Sequence, residues 1–172
     1  VPAAELQTLT DLYNSTNGAG WTTHTNWLSG DPCDNHWYGI TCDAAGAHVT
    51  EVSLVNDQLT GTLPSLSGLT NLQRFRVTFN QLTGAIPSLS GLTNLQTFAV
   101  DNNQLTGAIP SLSGLVHLQR FYVNNNQLTG TPPAAPASLL ADNSALCPNY
   151  LSTPSPTDAA WDTATGSTPW SA

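Results

Sequence analysis

The chain repeats itself every 23 residues, and that period leaves it few ways to fold. Residues 69–91 read LTNLQRFRVTFNQLTGAIPSLSG and residues 92–114 read LTNLQTFAVDNNQLTGAIPSLSG. The next unit begins LVHLQRFYVNNNQLTGTPP, and one unit upstream HVTEVSL leads through QLTG to LPSLSG. Leu59, Leu82, Leu105 and Leu128 are equivalent, as are Gly61, Gly84, Gly107 and Gly130. A unit this short cannot close a core of its own. It buries its apolar side chains by stacking on a copy of itself, so tandem units build a solenoid. The alternating pairs Val52/Leu54, Phe75/Val77, Phe98/Val100 and Phe121/Val123 carry the period of two that turns one face of a short strand inward. Asn80, Asn103 and Asn126 follow each strand, where their amides can hydrogen-bond the backbone of adjacent turns; Asp57 takes that place in the first unit.

Each unit contains L-x-x-L-x-x-F/V-x-V/L-x-x-N/D-x-L and continues as L-T-G-x-I/L-P. Over roughly residues 46–137 this resembles the plant-type leucine-rich repeat family, seen in receptor-kinase ectodomains and polygalacturonase-inhibiting proteins. The segments DLYNSTNGAGW, TNWLSGDPC and HWYGITCD resemble the N-terminal cap of such arrays, and more closely its bacterial and protist counterparts. The resemblance implies an α/β repeat solenoid: a short right-handed array with a parallel concave β-sheet, an N-terminal helical disulfide cap and an irregular C-terminal cap. This chain departs from the plant pattern in its short array, in one residue missing after each I-P, and in a C-terminal cap lacking its second cysteine.

Four segments are expected: a cap over 1–45, four repeats over 46–137, a truncated last repeat and C-terminal cap over 138–150, and a tail over 151–172. In the cap, residues 3–14 read as a helix whose Leu6, Leu9 and Leu12 bury against the first repeat with Trp21 or Trp37. An open solenoid end would expose core leucines and unpaired strand edges, so Trp21, Trp27 and Trp37 read first as core filler, with carbohydrate stacking as the alternative. The segment Leu139 to Leu146 reads as a shortened turn adding a fifth strand. The Ser/Thr/Pro/Ala-rich tail reads as a linker or extended strap, packed back through Trp161 and Trp170. It also resembles the approach to the C-terminal sorting segment of some secreted bacterial proteins, and the start at Val1 reads as that of a mature or trimmed chain.

Cys33 and Cys42 enclose eight residues in the Trp-rich segment. A local disulfide suits that spacing and implies an oxidising compartment; the alternative is two reduced, buried thiols. Cys147 is left over, free or paired beyond this chain. A secreted or cell-surface location follows from the disulfide reading. The 172 residues hold three arginines, no lysine and eleven acidic residues, for a formal charge of −8. Such a chain cannot neutralise a phosphate backbone, so nucleic acid is excluded as a general partner. No apolar run reaches the roughly 18–20 residues of a membrane span.

The units at 69–91 and 92–114 are identical at 19 of 23 positions, and the differences are Arg74/Thr97, Arg76/Ala99, Thr78/Asp101 and Phe79/Asn102. These positions point away from the core, onto the concave face. Stacked by unit they form the columns Glu51, Arg74, Thr97, Arg120; Ser53, Arg76, Ala99, Tyr122; Val55, Thr78, Asp101, Asn124; and Asn56, Phe79, Asn102, Asn125. All three arginines fall in the first two columns. A solvated face needs some charge for solubility, but solubility alone does not place every cation of an acidic chain together. Arg74, Arg76, Arg120 and Tyr122 are therefore expected to form a positive partner-binding patch with Phe79 at its edge and Glu51 and Asp101 as its acidic border. The partner expected is a protein or peptide, acidic in character.

No catalytic or phosphate-binding motif occurs, no cofactor is implied, and no enzymatic activity is expected. His24, His36 and His48 lie in the cap or its junction and His117 enters a strand, places where a lone histidine is usually structural. Asp31, Asp34 and His36 lie close together beside Cys33 but match no strong metal-ligand spacing. Two classes of function remain: a secreted interaction module, in host or cell-surface recognition, and a structural or adhesive surface protein whose repeats are a spacer. An inhibitor of a cell-wall hydrolase is a special case of the first, resting on resemblance of fold.

Overall fold

A computed structural model of the chain describes residues 1–153, 158–168 and 170. It opens on helix α1 (Ala3–Ser15), a 3-10 turn at Gly18–Gly20 and, after the Trp-rich loop, strand β1 (Ile40–Cys42). Stacked turns follow, each with two short strands. They are Val49–Ser53 (β2) and Thr60–Thr62 (β3), Arg74–Arg76 (β4) and Gln81–Thr83 (β5), then Thr97–Ala99 (β6) and Thr106–Gly107 (β7). Arg120–Tyr122 (β8) and Gln127–Gly130 (β9), then Ser144–Ala145 (β10) and Tyr150–Leu151 (β11), complete the array before helix α2 (Asp158–Thr165).

The first strands of the turns make one sheet in the order β1-β2-β4-β6-β8-β10, parallel throughout except for β1. Its register advances one repeat per strand: Val52 faces Phe75, Phe75 faces Phe98, Phe98 faces Phe121, and Phe121 faces Ser144. The inward pairs are fully buried, as are Leu59, Leu82, Leu105 and Leu128. Phe75, Phe98 and Phe121 stack with ring centroids 5.7 and 5.8 Å apart. The L-T-G segments pair as well: β3 with β5, and β9 with β7 on one side and β11 on the other.

The asparagine ladder stitches the turns together. Asn103 donates through Nδ2 to Val77 O at 3.0 Å and Val100 O at 3.1 Å, while its Oδ1 accepts from Leu82 N at 3.0 Å. Asn126 and Asn80 do the same one turn on and one turn back. Each amide thus satisfies buried backbone groups of two turns at once, groups that would otherwise cost free energy. Asn149 continues the ladder, bonding Val123 O at 2.8 Å, Leu146 O at 2.6 Å and Leu128 N at 2.9 Å. The last turn therefore keeps the full 23-residue spacing, where a shortened one was expected; decay of its leucines hid it.

Both ends are sealed. Leu9, Leu12, Trp21, Trp27 and Trp37 are buried at the N-terminal end, and Cys33 and Cys42 form a disulfide with Cα atoms 5.8 Å apart. Leu6 departs from expectation: it is 36% exposed, and the buried residue on that turn of α1 is Glu5, at 2%. Its carboxylate accepts from Val49 N at 2.7 Å and meets His48 Nδ1 at 2.8 Å, tying the helix to β2. Helical positions cannot distinguish an apolar from a hydrogen-bonded anchor, and here the polar one wins. Gly61, at φ 82°, lets the end of α1 approach β3 so closely that a side chain there would meet Ser15 O. At the other end the tail forms a helix rather than an extended strap. Trp161 and Ala164, three apart on one face of α2, are buried, and the Trp161 ring lies 5.8 Å from that of Phe121. Its indole donates to Pro133 O at 2.8 Å, and Trp170 is buried too.

Candidate functional site

The concave face is built from residues that alternate with the buried pairs. Register places Glu51 opposite Arg74, Arg74 opposite Thr97 and Thr97 opposite Arg120. Along the second column Ser53, Arg76, Ala99 and Tyr122 are paired in turn. The arginine–tyrosine group of the sequence is thus brought together. Arg76, Ala99, Asp101, Arg120 and Tyr122 line a shallow depression of about 440 Å³.

Its electrostatics differ from a positive island with an acidic border. Glu51 sits between two arginines: Arg74 Nε donates to Oε2 at 2.8 Å and Arg76 Nη2 to Oε1 at 2.5 Å. Direct and diagonal neighbours across a strand pair are within reach of long side chains, which is why one carboxylate serves both. The three groups together carry one net positive charge rather than two. Arg120 is exposed and makes no ion pair among the described residues. Asp101, likewise, is not a rim residue; it is half-buried in the wall of the depression, accepting from Asn102 Nδ2 at 2.7 Å. Burial pushes its carboxyl above the usual range, the Asn102 bond opposing in part.

Phe79 lies at the corner after β4, not on the strand. Its whole column is left-handed, with φ of 52° at Asn56, 56° at Phe79, 55° at Asn102 and 53° at Asn125. Asparagine tolerates that conformation; phenylalanine adopts it at a cost. The Phe79 side chain is 59% exposed. Of the other candidates, Asp31 Oδ1 accepts from Cys33 N at 2.8 Å and shapes the cap loop. Among the described residues no group of three His, Cys, Asp or Glu side chains is placed to hold a metal ion. A second depression of about 430 Å³, which the sequence did not suggest, lies between the segments that lead into the fourth and the fifth turns. Leu112, Val116, Ala135 and Pro136 line it, and it carries no charged group.

Comparison with known proteins agrees with this geometry. Residues 2–43 match the leucine rich repeat N-terminal domain and residues 117–139 match the Leucine Rich Repeat. The turns of this chain are leucine-rich repeats. A probable leucine-rich repeat receptor-like protein kinase of Arabidopsis thaliana is 42% identical over 60 residues, which is 34% of this chain and 6% of that protein. Among solved structures, the BIR2 ectodomain from Arabidopsis thaliana superposes with a TM-score of 0.77 at 24% identity, over 88% of this chain and 83% of that one. The BIR3–SERK2 complex from the same plant gives 0.67 at 25% identity, over 87% and 84%. The leucine-rich-repeat array thus has the fold of plant receptor ectodomains. Among the described residues no helix is long and apolar enough to cross a membrane.

Proposed function

We propose that this leucine-rich-repeat array is a non-catalytic, extracytoplasmic binding module that takes a protein or peptide bearing carboxylates on its concave face. The observation that carries the reading is the gathering of every arginine of a −8 chain, with Tyr122, onto the same few strands. Such a placement guides a carboxylate toward the groove while the acidic body repels misdocked encounters. A chain of similar size and fold occurs in the BIR3–SERK2 complex, which supports a protein partner, and the cap disulfide supports an oxidising compartment. Glu51 preorganises Arg74 and Arg76, and Arg120 is the cation with no partner among the described residues. Exposed ion pairs contribute only about 0–1 kcal/mol each, so Tyr122 and Phe79 supply the apolar part of the affinity.

Panels of capped acidic and basic peptides of equal length test this by fluorescence anisotropy. Acidic peptides should bind, more weakly as salt is raised, and Arg120→Glu with Tyr122→Ala should abolish binding while the melting temperature stays within a few degrees. Equal binding by that variant and the wild type would overturn the concave-face reading.

A further inference from the structure

We propose that the segment docked on this face is dipolar, with a carboxylate for Arg120, a cation for Asp101 four residues away, and an apolar side chain midway between them. The inference rests on the concave-face reading and specifies its partner. Asp101 and Arg120 line the same depression, and among the described residues neither has an ion-pair partner. The other two cations of the groove are held by Glu51. Nothing in the fold requires a carboxylate at residue 101: the equivalent positions are Val55, Thr78 and Asn124. A half-buried carboxylate that the solenoid does not need, and that burial has pushed above its ordinary range, gains most from a cation brought by a partner.

The spacing follows from register. Arg120 faces Thr97, and Asp101 lies four residues beyond Thr97 on the adjoining turn. Four extended residues cover about 13 Å, and one strand step adds about 4.8 Å across, a diagonal of roughly 14 Å. An extended partner spans that distance in about four residues. Alternate side chains of an extended chain share a face, so the residue halfway also points at the groove. It lands over Ala99, whose small side chain lies beside Tyr122 in register. The pattern recognised is therefore acid–x–apolar–x–base, read in one chain direction or the other.

The probes are capped peptides with the cores Glu-Thr-Leu-Thr-Lys and Lys-Thr-Leu-Thr-Glu, compared with Glu-Thr-Leu-Thr-Gln and Glu-Thr-Leu-Thr-Glu. Binding to the full chain is followed by amide chemical shifts at low ionic strength up to millimolar peptide. One dipolar order should bind on the order of tenfold more tightly than the Gln and diacid peptides. Asp101→Asn should erase that advantage with the Gln peptide unaffected, and Asp101→Lys should turn the preference toward the diacid. Asn occupies the same column at Asn124, so the first variant suits the fold. A diacid bound as tightly as either dipolar peptide, or an advantage that survives Asp101→Asn, overturns the dipolar partner and leaves the concave-face reading intact. No shift at any groove residue with any peptide, together with no effect of Arg120→Glu, overturns both.

Discussion

Two single residues break the rule of their column, and each break is measurable. Phe79 holds a left-handed corner that Asn56, Asn102 and Asn125 hold more cheaply, and it leaves most of its ring in water. Phe79→Asn should therefore stabilise the chain by about 1 kcal/mol in chemical denaturation, and on the proposed function it should also weaken partner binding. An unchanged or lower midpoint would show that the corner is not strained. Asp57 stands where the ladder carries Asn, buried, with Oδ1 accepting from Thr23 N at 2.7 Å and Oδ2 without a hydrogen-bond partner among the described residues. Burial pushes its carboxyl above the ordinary carboxylate range, the Thr23 bond opposing in part. The folded chain thus holds this proton more tightly than the unfolded chain does. The corresponding stability is fully present below the ordinary carboxylate range and is lost as pH rises through the raised value. Asp57→Asn should remove that loss, gaining about 1–2 kcal/mol over wild type near neutrality and little in acid. Thermal melts at a series of pH values read the difference.

At the scale of elements, legibility followed the number of core side chains each segment commits. Strands β4, β6 and β8 were readable because an inward phenylalanine and valine alternate with polar neighbours inside a long-range period. The second ladder was not: in β5 only Leu82 is buried between exposed Gln81 and Thr83, and one apolar residue has no period. Helix α2 was hidden by composition, since it commits one tryptophan and one alanine, and the tryptophan's ring partner is a phenylalanine far away in sequence. Of the candidate site, the columns were legible and the contacts were not. Pattern places Glu51 beside Arg74, but only side-chain geometry shows that it also takes Arg76, or that Asp101 has no cation beside it among the described residues. The N-terminal cap is expected to be needed for folding. A fragment beginning at residue 46 should lose cooperative melting, because it lacks Leu9, Leu12 and the three buried tryptophans of the cap. A sharp transition in that fragment would contradict this. Reduction of Cys33–Cys42, which closes a loop of about ten residues, should cost the intact chain roughly 2–3 kcal/mol.

On the scale of the whole molecule, the two seals are independent of what lies between them. The cap meets the first turn, through Glu5 with Val49 and Thr16 O with Thr60 N. Helix α2 meets the fourth and fifth, through Trp161 with Phe121 and Ala164 O with Asn143 N. Inserting a second copy of residues 92–114 after Gly114 should therefore leave both seals intact and raise the melting temperature, since each added unit contributes another interface of the same kind. A lower melting temperature, or a second transition in calorimetry, would show that the ends communicate. The stacked phenylalanines make the consequence concrete. Each added ring lengthens the file by one strand spacing, about 4.8 Å, and carries Arg120 that much farther from the Glu51 pair without touching the chemistry of either. Length in this molecule is a ruler graduated in turns: the reach of what it grips can change by whole notches while every mark on the scale stays the same.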